Sequence, residues 1–267
     1  MIIIYNKTSI GYSHINKGTV CQDYSEHYIS EDYRIVTACD GHGGSLYVRS
    51  DRGSKLASQA VIEVISKYSY FDLHSLIESD ALNKIKLEVL CKWNELIEKD
   101  YSNDKFSIDE LSSLSEEQQF KLENNFVTAY GTTLNAIIET SKYMLCFQIG
   151  DGGLFLLKDE SMVVAFPEND ENVANLTQSM CGDKAYNHLF IKAFNKDDYK
   201  GGLICTDGLL GPYQTYNNFS NSFVKPIVNK LKVLSTNTFI EIDSFIEELG
   251  TKIGNGDDVS LGLIYYG

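Results

Sequence analysis

The feature that most constrains this chain is an aspartate-glycine pair that follows three short apolar runs. The runs "IVTACDG", "LCFQIGDG" and "LICTDG" end in pairs that begin at Asp40, Asp151 and Asp207. Near the carboxyl terminus, "GNGDDVSLGLIYY" has the reverse order, with Asp257 and Asp258 before the apolar run. In antiparallel sheets the end of one strand lies beside the start of the next. We therefore expect these acids to meet at one edge of the protein.

Asp-Gly is also a favoured two-residue hairpin turn. The sequence supports a hairpin turn more strongly at one of the three pairs than at the other two. After Asp40 and Asp207 the sequence predicts a loop and then a helix, so neither pair is followed by a partner strand. After Asp151, strand-like residues continue directly beyond the glycine. We therefore favour a functional site at Asp40 and Asp207, and the turn stays open at Asp151.

Periodicity along the rest of the chain predicts an antiparallel α+β protein. Short β-branched and apolar runs predict strands at 33–39, 132–138, 143–149, 153–157, 162–166, 188–194, 202–206 and 259–266. Apolar residues at helical spacing predict helices at 56–68, 73–97, 226–234 and 239–249. Asp72 is the expected N-cap of the second helix, and Gly250 is the expected stop of the last.

Domain organisation follows from what the chain lacks. Its 267 residues contain no Gly/Ser-rich linker and no internal repeat, so a single domain over 1–267 is expected. The polar, acidic segment 101–125 is the best candidate for a surface insertion or a mobile loop. Six cysteines without a C-x-x-C pair, and no signal-peptide pattern, predict reduced thiols in a cytoplasmic protein.

The formal net charge of −14 limits the partners. Such a surface repels nucleic acids and anionic membranes, so neither is expected to bind. The charge fits either a solvated acidic surface or carboxylates gathered around cations. Oxygen ligands at converged strand ends would suit Mg²⁺ or Mn²⁺, and two such ions can activate a bridging water and hold a phosphoryl group.

The loop after Asp40 supplies two further candidates. Gly41 would allow a backbone carbonyl to approach a metal closely, because it carries no side chain. His42, between glycines, would be able to protonate a leaving oxygen. A histidine in a loop is more often an ordinary surface side chain, but its position beside the predicted site favours catalysis.

Six short motifs then carry a resemblance to a known family. They are "CQDY" (21–24), "DGHGG" (40–44), "GTT" (131–133), "IGDGG" (149–153), "TDGLL" (206–210) and "GDDVS" (256–260). In this order they make the chain resemble the metal-dependent protein phosphatase 2C family, and in particular its compact bacterial branch. The match runs from about Gly11 to the carboxyl terminus, and its specificity comes from the combination of motifs.

The resemblance implies a four-layer αββα sandwich, in which two antiparallel sheets are flanked by helix pairs. It implies a centre of two Mg²⁺ or Mn²⁺ ions, with room for a third, contacted by Asp40, Gly41, Asp207 and Asp257. In the same comparison, Asp151 matches the acid for the third ion and Asp23 holds metal-bound waters. His42 matches the general acid. Asp258 stands where many relatives have asparagine and is expected to support the site.

Two positions depart from the family pattern. Gln22 stands where relatives usually have glutamate, which removes one charge beside the metals. Gly18 stands where relatives usually have the arginine that holds the phosphate. Lys17, His14, Arg49 and Arg52 are candidates to replace it, and a lysine would bind phosphate as a point charge without the bidentate fork of arginine.

These observations lead to one functional hypothesis and two alternatives. The chain is expected to be a protein serine/threonine phosphatase that hydrolyses phosphoserine and phosphothreonine monoesters by direct attack of a metal-bridged water. The expected partners are a phosphorylated protein and a cognate Ser/Thr kinase, and the protein is expected to be a bacterial monomer. The alternatives are a weak or inactive regulatory protein on the same scaffold and a small-molecule phosphomonoesterase.

Overall fold

The computed structural model describes residues 2–159, 161–167 and 178–267, which build two antiparallel five-stranded sheets. Sheet 1 has the strand order β1-β10-β9-β6-β7, with bounds Ile2–Ser9, Val259–Tyr266, Gly201–Cys205, Gly153–Leu157 and Met162–Val164. Sheet 2 has the order β2-β3-β4-β5-β8, with bounds Tyr24–Ile29, Arg34–Cys39, Leu134–Glu139, Tyr143–Ile149 and Phe190–Asn195.

Helices cover the outer faces of both sheets. In chain order, α1 to α11 span Tyr12–Lys17, Ser50–Ile65, Tyr70–Glu78, Leu82–Asn103, Ile108–Ser112, Glu116–Asn124, Ala185–His188, Asp207–Leu210, Tyr216–Phe219, Lys225–Val233 and Thr238–Glu248. Short 3₁₀ turns lie at Phe126–Tyr130, Lys196–Asp198 and Gly211–Tyr213, and π-helical turns lie at Ser220–Val224 and Leu249–Ile253.

Three apolar clusters hold these layers together. One lies between the sheets and includes Val36, Ile137 and Ile204. A second packs α2 and α4 against sheet 2, and a third packs α10 and α11 against sheet 1. Burial of continuous apolar strands on both faces explains why these runs are hydrophobic throughout. The prediction of an α+β sandwich of two antiparallel sheets flanked by helices is confirmed.

Two helix boundaries differ from the predictions. The run 73–97 forms two helices, because Asp80 between them has a φ of +55° in the left-handed region, which interrupts a helix. The N-cap of α3 is Ser69, whose Oγ accepts from the Asp72 backbone N–H at 3.2 Å, so the expectation for Asp72 is wrong. Gly250 does not stop the last helix, because the chain continues there as a π-helical turn.

The polar segment 101–125 is largely helical, so its interpretation as a solvated loop is wrong. Two capping boxes start its helices, one between Ser107 and Glu110 and one between Ser115 and Gln118. Such reciprocal side-chain caps satisfy the free N–H groups of the first turn and stabilise short helices. Leu114 and Leu122, further along the segment, are buried against α2 and α4.

No helix in the described ranges has both the length and the apolar character that crossing a bilayer requires.

Candidate metal centre

Asp40 follows β3 and is held in place by the "GTT" segment. Its backbone N–H donates to Thr133 Oγ1 at 2.9 Å, and its carbonyl accepts from the Thr133 N–H at 2.8 Å and from Thr132 Oγ1 at 2.9 Å. Both threonines are buried. These bonds fix the backbone of Asp40 and leave its carboxylate directed out of the strand end.

Three carboxylates meet beyond the ends of three strands. Oxygen atoms of Asp40, Asp151 and Asp207 all lie within 4.8 Å of one another. Asp40 follows β3, Asp151 follows β5 and Asp207 follows β9, so both sheets contribute to the group. The convergence of acids expected from the sequence is therefore present for these three residues.

The hairpin-turn alternative for Asp151 is wrong. A hairpin would pair β5 with β6, but β5 belongs to sheet 2 and β6 to sheet 1. The pair at 151–152 instead carries the chain from one sheet to the other. Gly150, just before it, has a φ of +103°, a conformation that favours glycine and that turns the chain between the sheets.

Asp207 is the first residue of the short helix α8. The next position, Gly208, has no room for a side chain. A Cβ atom on Gly208 would lie 1.9 Å from the carbonyl oxygen of Asp258. Asp207 Oδ1 is buried and has no hydrogen-bond partner among the described residues. A buried carboxylate oxygen without a donor costs free energy unless a ligand satisfies it.

The electrostatics of the cluster point to a cation. Burial raises the pKa of Asp40 well above its usual range, and the charges of Asp23 and Asp207 raise it further. Burial also raises the pKa of Asp207, with the charge of Asp151 as the next cause. Three carboxylates at this spacing, offering only oxygen atoms, fit a hard divalent ion such as Mg²⁺ or Mn²⁺.

Asp23 lies beneath the cluster and is buried, with 6% of its surface exposed. Thr206 Oγ1 donates to Asp23 Oδ2 at 2.7 Å and accepts from the Ser260 N–H at 2.9 Å. Burial raises the pKa of Asp23 well above its usual range. This chain of bonds ties the acid of the first motif to the strand end that carries Asp207.

The two acids of the last motif have different environments. Asp257 is exposed, and its charge contributes, after burial, to the raised pKa values of Asp40 and Asp207. It therefore lies beside the cluster, although outside the group of oxygens within 4.8 Å. Asp258 is 2% exposed and accepts the backbone N–H groups of Gly11 and Gln22, each at 2.7 Å.

Gly41 and His42 are positioned by neighbouring backbone. A Cβ on Gly41 would lie 2.6 Å from the carbonyl oxygens of Gln22 and Ser50, so only glycine fits there. The His42 N–H donates to the carbonyl of Gly131 at 3.1 Å. Burial lowers the pKa of the His42 ring, and the charge of Asp151 opposes this effect. The opposing charge indicates that the ring lies near the acid cluster.

Gln22 supports this loop through its side chain. Its Nε2 donates to Ser50 Oγ at 2.7 Å and to the His42 carbonyl at 3.2 Å. A glutamate at this position would have no N–H groups for these two bonds. Gln22, which replaces the usual glutamate, thus joins the loop at His42 to the start of α2.

Arg49 is not available to hold a phosphate, and that expectation is wrong. It is 1% exposed, and all five guanidinium N–H groups are used. Two go to Glu110 at 2.6 and 3.0 Å, one goes to Tyr130 Oη at 2.9 Å, and two go to the carbonyls of Asp104 and Lys105. Arg49 instead fastens the 101–125 segment to the start of α2.

The other phosphate candidates have different surroundings. Arg52 Nη1 lies 3.2 Å from Asp100 Oδ2 and 2.6 Å from Asp104 Oδ2, two carboxylates that also lie near Arg49. His14 Nδ1 lies 2.8 Å from Asp258 Oδ1, but the geometry is not that of a hydrogen bond, so this buried nitrogen has no hydrogen-bond partner among the described residues. Lys17 is exposed at the end of α1. Of the four, Lys17 is the exposed residue for which no ion pair is found within the described residues.

A cavity of about 320 Å³ opens beside Asp151 and was not anticipated from the sequence. Its polar and aromatic lining includes Gln148, Phe166, His188, Lys192 and Tyr216. The residues come from β5, α7, β8, α9 and the chain after β7, and only the tertiary fold brings them together. No local sequence pattern could have found it.

Comparisons with known proteins bear on the family and the fold. The family model described as "Protein phosphatase 2C" matches residues 10–238. No curated protein matches the chain. Among solved structures, the chain is similar to the catalytic domain of the serine threonine protein phosphatase PstP in complex with two manganese ions, at 16% identity and a TM-score of 0.60, over 99% of this chain and 97% of that one.

Two further structures are similar over the same extent. The S. agalactiae serine/threonine phosphatase is 16% identical, with a TM-score of 0.59 and full coverage of both chains. Stp1 from Staphylococcus aureus is 14% identical, with a TM-score of 0.61, over 100% of this chain and 96% of that one. At these identities the likeness shows the fold alone, and the family is shown by the family model. The chain belongs to the protein phosphatase 2C family.

Proposed function

We propose that this protein is a metal-dependent protein serine/threonine phosphatase that hydrolyses phosphoserine and phosphothreonine monoesters. The observation that carries the proposal is the meeting of Asp40, Asp151 and Asp207 within 4.8 Å beyond strands of both sheets. The buried, unpartnered Oδ1 of Asp207, as judged among the described residues, adds an atom that a cation would satisfy.

The residues that would hold two Mg²⁺ or Mn²⁺ ions are Asp40, the Gly41 carbonyl, Asp207 and Asp257. Asp151 would serve a third. When bound, such ions supply the positive charge that lowers the pKa of a water and neutralises a phosphoryl group. Asp23, fixed by its bond from Thr206, would orient water at the inner side of the site.

The chain's own groups would handle the proton and the phosphate. The His42 ring, beside Asp151, would give a proton to the oxygen that leaves the phosphorus. Lys17, after the exclusion of Arg49, is our candidate for holding the phosphate as a point charge. The cavity beside Asp151 would take residues that flank the phosphorylated side chain.

Hydrolysis of a phosphoserine peptide tests the proposal. We expect phosphate release with Mn²⁺, none with chelator, and a loss of at least about a hundredfold in kcat for Asp207→Ala. The matched control is Asp198→Ala, which removes an exposed aspartate in a 3₁₀ turn. Release that persists in both chelator and Asp207→Ala would contradict the mechanism.

Two further measurements separate the alternatives. Calorimetric titration with Mn²⁺ that gives no binding would favour a non-catalytic regulatory protein. A kcat/KM higher for small metabolite phosphates than for phosphopeptides would favour a small-molecule phosphomonoesterase. We propose the protein phosphatase because the family model that matches residues 10–238 is described as protein phosphatase 2C.

The remaining expectations are proposals of the same kind. They are a phosphorylated protein as substrate, a cognate Ser/Thr kinase, a monomeric single-domain protein and a bacterial source. A cytoplasmic location is supported by the six cysteines, which are all free.

A further inference from the structure

Tyr47 lies in the loop between Asp40 and α2, and its ring contacts the ring of His42. The centroids of the two rings are 4.9 Å apart and their planes meet at 65°, which is an edge-to-face arrangement. Aromatic rings attract each other in this arrangement, because the positive edge of one meets the negative face of the other. Tyr47 is therefore a direct neighbour of the residue that would give a proton to the leaving oxygen.

Gly131 lies against both rings. A Cβ atom at this position would lie 2.5 Å from Tyr47 Cδ1 and 2.9 Å from His42 Cδ2, closer than carbon atoms approach. The Gly131 φ of −53° is open to any residue, so the lack of a side chain here is required by the rings and not by the backbone. The Gly131 carbonyl also accepts the His42 N–H at 3.1 Å. The tyrosine and the imidazole thus share one supporting surface.

The backbone of Tyr47 is fixed by the same loop. Its N–H donates to the Gly44 carbonyl at 2.9 Å, and its carbonyl accepts the Ser50 N–H at 3.1 Å. A Cβ atom on Gly44 would lie 3.1 Å from Tyr47 Cδ2, so the ring also covers this glycine. A ring held in this way has little freedom to turn away from His42.

The polar segment 101–125 contacts the loop on both sides of Tyr47. Two residues before the tyrosine, Ser45 Oγ accepts from Gln118 Nε2 of α6 at 2.9 Å. Two residues after it, the Arg49 guanidinium donates to Glu110 of α5 at 2.6 and 3.0 Å. The two contacts come from different helices of the segment, so the loop is attached to it at two points.

The two attachments differ in their surroundings. Arg49 is buried, so its loss would disturb the fold as well as the loop. The contact between Ser45 and Gln118 lies at the surface. Removal of the Ser45 hydroxyl leaves the capping box of α6 intact, since Gln118 Oε1 still accepts the Ser115 N–H at 2.9 Å. Through this contact the effect of the segment on the loop can be measured without opening the core.

We propose that Tyr47 is a positioning residue for His42 and that the 101–125 segment acts on the site through it. The proposal rests on the proposed function, in which the His42 ring protonates the leaving oxygen. A general acid has to lie within hydrogen-bond reach of that oxygen, so its orientation matters as much as its presence. The Tyr47 ring and the backbone of Gly131 limit how far the imidazole turns. The segment holds Tyr47 from both sides, which gives its helices a part in the reaction.

The proton signals of the His42 ring in the metal-free protein test this geometry without any turnover. Chelator is present, and at about pH 8 the ring is neutral, because the ordinary pKa of histidine is about 6.5. A nearby aromatic ring displaces proton signals, so Tyr47→Ala is expected to move the carbon-bound ring signals of His42 towards those of an unstructured histidine. Tyr47→Phe keeps the ring and is expected to leave the signals at their wild-type positions. His42→Gln assigns the signals by their loss.

Steady-state kinetics with Mn²⁺ test the effect on the reaction. The oxygen of serine needs a proton as it leaves, whereas p-nitrophenolate leaves as an anion. Tyr47→Ala is expected to lower kcat for a phosphoserine peptide at least about tenfold and for p-nitrophenyl phosphate less than about twofold, because a well-placed general acid contributes a factor of about 100 or more. KM for both substrates is expected to stay unchanged, and Tyr47→Phe is expected to restore kcat.

Ser45→Ala extends the test to the segment. It removes the contact with α6, and the loss of one neutral hydrogen bond corresponds to a decrease of about threefold in kcat for the phosphopeptide. Its control is Ser244→Ala, an exposed serine whose hydroxyl bonds within α11. The control for Tyr47→Ala is Tyr28→Ala, an exposed tyrosine towards the far end of β2. Both controls are expected to leave kcat and the His42 signals unchanged.

Three results would overturn the positioning role. They are unchanged His42 signals in Tyr47→Ala, equal losses of kcat for the two substrates, and a Tyr47→Phe variant that behaves like Tyr47→Ala. A wild-type protein that hydrolyses neither substrate would contradict the proposed function and with it the catalytic part of this proposal, whereas the ring signals in chelator decide the contact on their own. Unfolding curves accompany each variant. Ser45→Ala is expected to keep the wild-type midpoint, so if Tyr47→Ala does not fold, an unchanged kcat in Ser45→Ala would overturn the proposal.

Discussion

Replacing Asp207 with asparagine is expected to stabilise the metal-free protein and to remove most of its stabilisation by Mn²⁺. The variant eliminates one of three carboxylates whose oxygens lie within 4.8 Å of one another. Two charges at that separation repel by about 3.5 kcal/mol at an effective dielectric constant of 20. Because Asp151 is exposed to solvent and screened, we expect a net gain of about 1 kcal/mol at pH 7.

The gain is measurable as thermal unfolding in chelator. For a chain of this length, about 1 kcal/mol corresponds to a rise of about 2–4 °C in Tm. The amide causes little loss of its own, since Asp207 Oδ1 accepts no hydrogen bond within the described part of the chain. Asp198→Asn, an exposed aspartate away from the cluster, is the control and is expected to leave Tm unchanged.

With Mn²⁺ the order is expected to reverse. A ligand at a hundredfold excess over Kd adds about 2.7 kcal/mol to the wild-type protein, and the variant loses a ligand atom that this binding needs. The variant is therefore more stable than wild type in chelator and less stable in Mn²⁺. A variant that is destabilised in chelator and shows the wild-type response to Mn²⁺ would refute the assignment of these carboxylates to a metal.

Three other predictions concern the surroundings of the site. Arg49→Met breaks a buried ion pair and should lower the free energy of unfolding by about 3–5 kcal/mol in urea, and a loss below 1 kcal/mol would contradict this. The Arg49 guanidinium lowers the pKa of Glu110 to about 2, so the stabilisation that ionised Glu110 gives the fold is complete above about pH 4.5 and is lost as the pH falls towards 2. The Tm of wild type should therefore decline between about pH 5 and 3, and Glu110→Gln should lack the part of this decline that Glu110 causes. An unchanged decline in the variant would exclude this cause. Gly208→Ala would bring a Cβ to within 1.9 Å of the Asp258 carbonyl oxygen and should weaken Mn²⁺ binding at least tenfold, as measured by calorimetry. Gly43→Ala, whose Cβ would lie 3.6 Å from its nearest atom, is the control and should leave Mn²⁺ binding unchanged. Equal effects of the two variants would argue against the steric reason.

The elements of the fold could be predicted where the pattern is local. The strands Tyr143–Ile149, Gly153–Leu157 and Val259–Tyr266 have the bounds expected from their apolar runs. The alternatives at Asp151 stayed open because the choice between a hairpin and a crossing depends on which distant strands pair. Strand β6 pairs with β9, some 50 residues later in the chain. The residues at 151–152 contain no signal that predicts this long-range pairing.

The meeting of acidic residues at the site could be predicted from the sequence, but the positions of the basic side chains around it could not. Asp40 and Asp207 follow buried strands, so their positions follow from strand ends alone. Arg49 has the sequence context of a residue near the site, yet its side chain turns to Glu110, 61 residues away in the chain. Its direction is decided by a segment whose polar composition predicts a loop but whose capping boxes form helices.

The place of β10 in sheet 1 has a consequence for how the protein is made. This strand lies between β1 and β9 and pairs Tyr266 with Ile2. Strand β1 therefore has no hydrogen-bonded partner strand among the described residues until β10, the last described element, has been synthesised. Asp257 and Asp258 arrive with it. A ribosome-bound chain that has not yet released β10 would lack both the complete sheet 1 and the two acids of the last motif. Completion of sheet 1, and any metal binding that depends on Asp257, would then occur only after translation has passed this point.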